Sequence, residues 1–154
     1  MTPRPAYRVS CSQPTDRRPT VLLADDHVPT AGQLRTLLQR QFEVVAVVED
    51  GRALVNAVAQ LSPDVIVTDI SMPILNGIDA AALILRGNPA ARIVLVTVHD
   101  EPMLMDRGLA AGVLGYVLKE TAGDELVPAI HAALDGTRYV SLVLRQRESE
   151  INPE

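Results

Sequence analysis

The chain has 154 residues and a formal net charge of −5, with 47% apolar residues but only 3% aromatic ones. That length supports one domain with a sizeable aliphatic core and excludes a comfortable second one. No apolar stretch approaches membrane-spanning length and the N-terminus lacks the apolar run of a signal peptide, so a cytoplasmic protein with no membrane partner is expected. Cys11 is the sole cysteine, which excludes an internal disulfide and a cysteine-built metal site.

Residues 1–19 carry four prolines and four arginines without hydrophobic period, and read as a disordered leader of local charge +3. The remainder then holds −8, which argues against nucleic-acid binding by the body itself. The first strand is expected at 20–25, where Val21-Leu22-Leu23-Ala24 runs into Asp25-Asp26. His27 follows as a helix-start residue, and Ala31, Leu34, Leu37 and Leu38 predict a helix over 29–41, with Pro29 in its first turn. A strand at 43–48 leads to a helix at 51–61, spaced by Leu54, Val55, Val58 and Leu61. The strand at 64–68 ends on Asp69, and Asn76 is placed to cap a helix at 77–87. The strand at 92–97 ends on Thr97, with Val98 and His99 beyond it, and a helix opened by Pro102 spans 101–111 before Gly112. The run Leu114-Gly115-Tyr116-Val117-Leu118 forms the last strand and ends on Lys119; a helix at 122–135 contains His131, read as surface or packing, and stops at Gly136. Residues 137–154 read as a C-terminal linker or tail, which leaves 20–136 as the domain.

Strands that are apolar without alternation are buried on both faces, as in a parallel sheet between two helix layers. Five βα units in strict alternation therefore predict a doubly wound α/β sandwich, with the sheet order 2-1-3-4-5. In such a sheet the carboxyl ends of the strands share one edge, so Asp25, Asp26, Asp69, Thr97 and Lys119 are brought together. Lys119 is the only lysine beside thirteen arginines, which suggests a site shaped for a compact point charge rather than a planar fork. Clustered carboxylates repel one another unless a cation compensates, and an all-oxygen set suits Mg²⁺.

Asp25-Asp26, the segment Thr68-Asp69-Ile70-Ser71-Met72-Pro73 with Gly77, Thr97, and Gly115-Tyr116-Val117-Leu118-Lys119 together resemble the receiver domain of bacterial two-component response regulators. Lys119-Glu120 without a following proline, and Tyr139-Val140-Ser141, resemble the NarL/FixJ branch of that family. The likeness covers about residues 20–141 and implies a flavodoxin-like (βα)5 sandwich. It also implies that Asp69 is the phosphoacceptor, taking a phosphoryl group from a sensor histidine kinase. Asp26 and Asp69 would hold Mg²⁺ directly, Asp25 partly through water, and the Ser71 backbone carbonyl would add a ligand. Thr97 and Lys119 would bind the phosphoryl oxygens. Thr97 and Tyr116 would form the switch, and Ser71, Val98 and His99 would tune the lifetime of the modification. The resemblance further implies a homodimer on phosphorylation, transcriptional control through a helix-turn-helix domain absent from these residues, and self-modification rather than enzymatic turnover.

Two other classes stand beside this one. A haloacid-dehalogenase-like phosphatase wants a second acid two residues after the nucleophile, where this chain has Ser71. A stand-alone or atypical receiver that only pairs with partners predicts a gap in the acid–threonine–lysine set, and there is none.

Overall fold

The computed structural model describes residues 18–151. Most of the expected leader, including Cys11, lies outside the described residues. Its last residue does not, because Pro19 accepts a backbone hydrogen bond from Glu43 at 2.9 Å.

Strands and helices alternate in chain order: β1 (Thr20–Ala24), α1 (Val28–Leu38), β2 (Glu43–Val48), α2 (Gly51–Leu61), β3 (Val65–Thr68), α3 (Gly77–Gly87), β4 (Ile93–Thr97), α4 (Pro102–Ala111), β5 (Gly115–Leu118) and α5 (Ala122–Leu134). A 3₁₀ turn at Lys119–Thr121 joins β5 to α5, and β6 (Tyr139–Val140) and α6 (Leu142–Ile151) follow. The sheet is parallel throughout, in the order β2-β1-β3-β4-β5-β6. The two-residue period of the strands divides the core. Val21, Leu23, Val67, Val96 and Val117 face α1 and α5 on one side, where Leu34, Leu38, Leu126 and Ile130 cover them. Leu22, Ile66, Leu95 and Tyr116 face the other side, with Leu54, Ile84 and Met105 from α2, α3 and α4.

Local chemistry ends these elements where the sequence rules place them. Asn76 accepts from the Asp79 N–H at 2.8 Å and so caps α3. His27 caps α1, its ring nitrogen meeting the Thr30 hydroxyl at 2.6 Å. Gly112 ends α4 at φ 110°, a left-handed conformation that glycine adopts without penalty. Helix α5 runs through Pro128, which costs about 3 kcal/mol in a helix interior. Burial of Ala122, Leu126, Ala129, Ile130 and Ala133 along one stripe keeps it continuous.

The segment expected as a linker or tail carries structure. Tyr139 and Val140 pair with Gly115 and Tyr116, giving the sheet a sixth strand where five were expected. Leu144 of α6 is buried, and Arg147 reaches back to Asp100 at 2.8 Å. The physical reason is that β5 would otherwise be an open edge, and Tyr139-Val140 is β-prone enough to cover it.

One close approach fixes the start of α3 against the strand end that bears Asp69. A Cβ built on Gly77 would lie 1.9 Å from the Asp69 carbonyl oxygen, so α3 packs there only because residue 77 has no side chain. Gly77→Ala is expected to destabilise the fold by about 2 kcal/mol or more, since backbone must move to relieve the overlap. Denaturant unfolding of the two proteins measures this.

Candidate functional site

The register of the sheet builds the site. Ala24 pairs with Thr68, so Asp25 and Asp69 leave adjacent strands side by side; Thr97 pairs with Leu118, which sets Lys119 one residue beyond Thr97. The Asp25 N–H donates to Val48 and the Asp69 N–H to Ala24, so both acids are fixed by their backbones as the ladder ends.

Asp25 and Asp69 are buried, whereas Asp26 is exposed. One oxygen of each of the three carboxylates lies within 4.8 Å of the other two. Lys119 Nζ stands 2.8 Å from Asp25 Oδ2 and 2.9 Å from Asp69 Oδ2. The contact to Asp69 is an aligned hydrogen bond, and that to Asp25 is an ion contact that leaves Oδ2 without a directed partner. The remaining oxygens accept from backbone: Asp25 Oδ1 from His27 at 2.9 Å, and Asp69 Oδ1 from Ile70 at 2.7 Å. Burial by itself lowers the Lys119 pKa, but its bonds to Asp25 and Asp69 outweigh that and hold it above the ordinary lysine value. Three carboxylates around a buried oxygen with no aligned donor fit a hard divalent cation such as Mg²⁺.

Thr97 is fully buried, and its hydroxyl accepts from the His99 N–H at 3.2 Å. The His99 carbonyl accepts from the Tyr116 hydroxyl at 2.7 Å. Tyr116 is wholly buried, and burial, helped by the charges of Glu101, Asp100 and Asp69, pushes its phenol far above the usual tyrosine range. It remains a donor at any physiological pH. Ser71 is exposed; its hydroxyl lies 2.6 Å from His99 Nε2, while His99 Nδ1 faces Glu101 at 3.7 Å. Val98 is 70% exposed, so its side chain projects from the rim rather than closing the site. An open depression of about 500 Å³ borders Asp26, Ser71, His99 and Arg107. In the loop before α3, Ile74 holds φ 72°, a strained conformation for a β-branched residue, with its side chain 80% exposed.

The structure thus brings Asp25, Asp69 and Lys119 into direct contact, sets Asp26 beside them, and joins Thr97 to Tyr116 through the His99 backbone. His131 lies apart, bonded to Gln41 at 3.1 Å. Sequence reasoning missed Glu125. That residue is buried and accepts from Thr121, Ser141, Tyr139 and the Leu142 N–H. Its signal was its position: Glu125 lies on the same stripe as Ala122, Leu126 and Ala129, and an acid on a buried stripe needs partners.

Removing the ammonium should expose the repulsion it compensates. Because the Lys119 pKa is raised on folding, its contribution is fully present below the ordinary lysine value and is lost only as pH rises through the raised one. At pH 7 it is therefore read in full. Lys119→Met is expected to cost roughly 3 kcal/mol at pH 7 without divalent cation, and added Mg²⁺ to recover more stability than it gives the wild type. Denaturant melts with and without Mg²⁺ check both.

The family model for the response regulator receiver domain matches residues 21–131. Among curated proteins, the transcriptional regulatory protein DegU of Brevibacillus brevis is 32% identical over 130 residues, which are 83% of this chain and 55% of that protein. The response regulator UvrY of Escherichia coli K12 is 33% identical over 138 residues, 87% of this chain and 63% of that one. The chain thus spans little more than half the length of these relatives. A crystal structure of a LuxR-family two-component response regulator from Aurantimonas sp. SI85-9A1 superposes with a TM-score of 0.84 at 32% identity, covering 89% of this chain and 99% of that one. A family match over residues 21–131, a superposition this close and likeness at these levels have one common explanation: the chain belongs to the response regulator receiver domain family, within its NarL/FixJ/LuxR-type members.

Proposed function

We propose that this receiver is a phosphorylation switch whose phosphoacceptor is Asp69. The observation that carries the reading is the state of the Asp69 carboxylate: buried at a strand end, one oxygen bound by Lys119 and the other by the Ile70 N–H, with two further acids beside it. One Asp69 oxygen attacks the phosphorus of a phosphohistidine on a sensor kinase. The new bond is O–P, the P–N bond breaks, and the donor imidazole leaves with the electron pair and takes a proton.

Asp25, Asp26, Asp69 and the Ser71 carbonyl would hold Mg²⁺, which would supply charge neutralisation for the incoming phosphoryl group. Lys119 shifts from bridging the acids to meeting a phosphoryl oxygen, and the Thr97 hydroxyl meets another. The Thr97 hydroxyl accepts from the His99 N–H while its own proton is free to donate to that oxygen, so its movement towards the phosphoryl group pulls on the residue whose carbonyl holds Tyr116. Phosphorylation thereby loosens the buried ring and repacks the face of α4, β5 and α5, shifting the populations of two states. Ser71 and His99, joined to each other at the mouth, set how readily water reaches the modified carboxylate, and Val98, which points away from the rim, does not.

The partners follow from the same reading: a sensor histidine kinase, a second copy of this chain on phosphorylation, and DNA through a helix-turn-helix domain that these residues do not contain. A cytoplasmic setting suits it, and no helix among the described residues is long and apolar enough to cross a membrane. The chemistry is self-modification, without turnover of a separate substrate.

Intact-mass analysis after treatment with acetyl phosphate tests the acceptor. One phosphoryl group is expected on the wild type with Mg²⁺ and none after chelation or in Asp69→Asn; labelling that survives either change would overturn the assignment. For the switch, beryllofluoride with Mg²⁺ is expected to raise the sedimenting mass towards a dimer. Thr97→Ala should still accept phosphate yet show a weaker shift, and an equal response in that variant would sink the coupling.

A further inference from the structure

Strand β6 pairs with β5 only through Tyr139 and Val140, and the chain then turns into α6. The Ser141 N–H still donates to the Tyr116 carbonyl at 2.9 Å, but the Ser141 carbonyl is taken by α6, accepting from Leu144 and Arg145. The backbone of β6 therefore has no acceptor left for the next N–H of β5, that of Leu118. The Ser141 hydroxyl supplies it, accepting from Leu118 at 2.9 Å and donating to Glu125 Oε1 at 2.7 Å. A serine at a helix start ordinarily turns its hydroxyl onto its own helix. Here Glu125 Oε2 serves the helix instead, accepting from the Leu142 N–H at 2.8 Å.

Glu125 Oε1 takes a second bond, from the Thr121 hydroxyl at 2.5 Å. Leu118 and Thr121 flank Lys119, and both are tied to the same carboxylate oxygen, one through Ser141 and one directly. The Lys119–Thr121 turn is thus pinned at both ends, while Lys119 Nζ reaches into the acids from between the pins. Burial raises the Glu125 pKa, but the bonds from Thr121, Ser141, Leu142 and Tyr139 outweigh that and keep it ionised. An ionised acceptor makes each of these bonds stronger than a neutral one would.

We propose that Glu125 and Ser141 are positioning residues for Lys119, so that the segment from Tyr139 to Leu142 is a working part of the phosphorylation site rather than a connector. The reach of a flexible lysine is set by where its backbone anchor is held, and a misplacement of about 1 Å in such a group costs up to about a hundredfold in rate. The inference rests on the reading of Lys119 as a phosphoryl-binding group, yet its structural half can be read without any phosphoryl donor.

Because Lys119 is the only lysine, selective isotope labelling of lysine gives one side-chain amine signal in the full chain. In Ser141→Ala that signal is expected to move towards the position of free lysine and to broaden. Glu125→Ala should shift it at least as far. Tyr139→Phe removes a Glu125 bond of 3.1 Å without touching Leu118 or Thr121, and should leave the signal in place. Labelling of Ser141→Ala by acetyl phosphate should slow on the order of tenfold. A merely structural role lowers the melting temperature and leaves the amine signal of the folded protein unchanged, and that result in Ser141→Ala overturns the proposal even if Glu125→Ala fails to fold. A shift in Tyr139→Phe equal to that in Ser141→Ala would also overturn it. Failure of the Asp69 reading shows instead as phosphorylation that persists in Asp69→Asn, with the amine signal of Ser141→Ala still displaced.

Discussion

A half-buried ammonium between two buried carboxylates is the interaction on which the rest of this molecule turns. Two charges 4 Å apart interact by about 4 kcal/mol near a protein surface and by more as water is excluded. Asp25 and Asp69 are too well buried for water to screen their mutual repulsion, and a cation between them compensates it. Lys119 supplies that cation in the present state. A charge held by attraction to two acids is also a charge that can be redirected. The site is stable because it is compensated and responsive because the compensating group is a long, flexible side chain.

The loop between β4 and α4 ties the acidic site to the buried ring of Tyr116. Its His99 makes four contacts of different kinds: backbone N–H to Thr97, backbone carbonyl to Tyr116, and ring to Ser71 and Glu101. One residue thereby links the end of β4 at Thr97, the loop that follows Asp69, and the buried aromatic ring. The deep burial of Tyr116 makes its hydroxyl a committed donor, so its position depends on where the His99 carbonyl sits.

The far side of β5 is held differently. A short sixth strand covers what would be an open edge, and where that strand runs out a hydroxyl and a carboxylate complete the ladder. Arg147 of α6 then reaches Asp100, one residue beyond His99. The segment after α5 is in this way attached at two places to the machinery around the acids, at the Lys119 turn and at the β4–α4 loop.

Much of this was written in the chain. The apolar runs, their turn chemistry and the regular alternation with helical stripes determined five βα units, because burial on both faces of a parallel sheet favours unbroken apolar runs and confines the polar residues to the strand ends. Asp25, Asp69, Thr97 and Lys119 were legible for the complementary reason: each follows an apolar run at the end where the sheet meets solvent. Only the tertiary structure decided the register, which places Ala24 against Thr68 and Thr97 against Leu118 and so determines which acids touch the lysine. It also decided that Tyr139 and Val140 form a strand, since two residues have no periodicity to detect and acquire their conformation from the edge they cover. Glu125 was hidden because an acid early in a helix reads as a partner for the helix dipole. Its role appears only when Thr121, Tyr139, Ser141 and Leu142, some of them far along the chain, are folded around it, and no spacing rule encodes contacts made between elements.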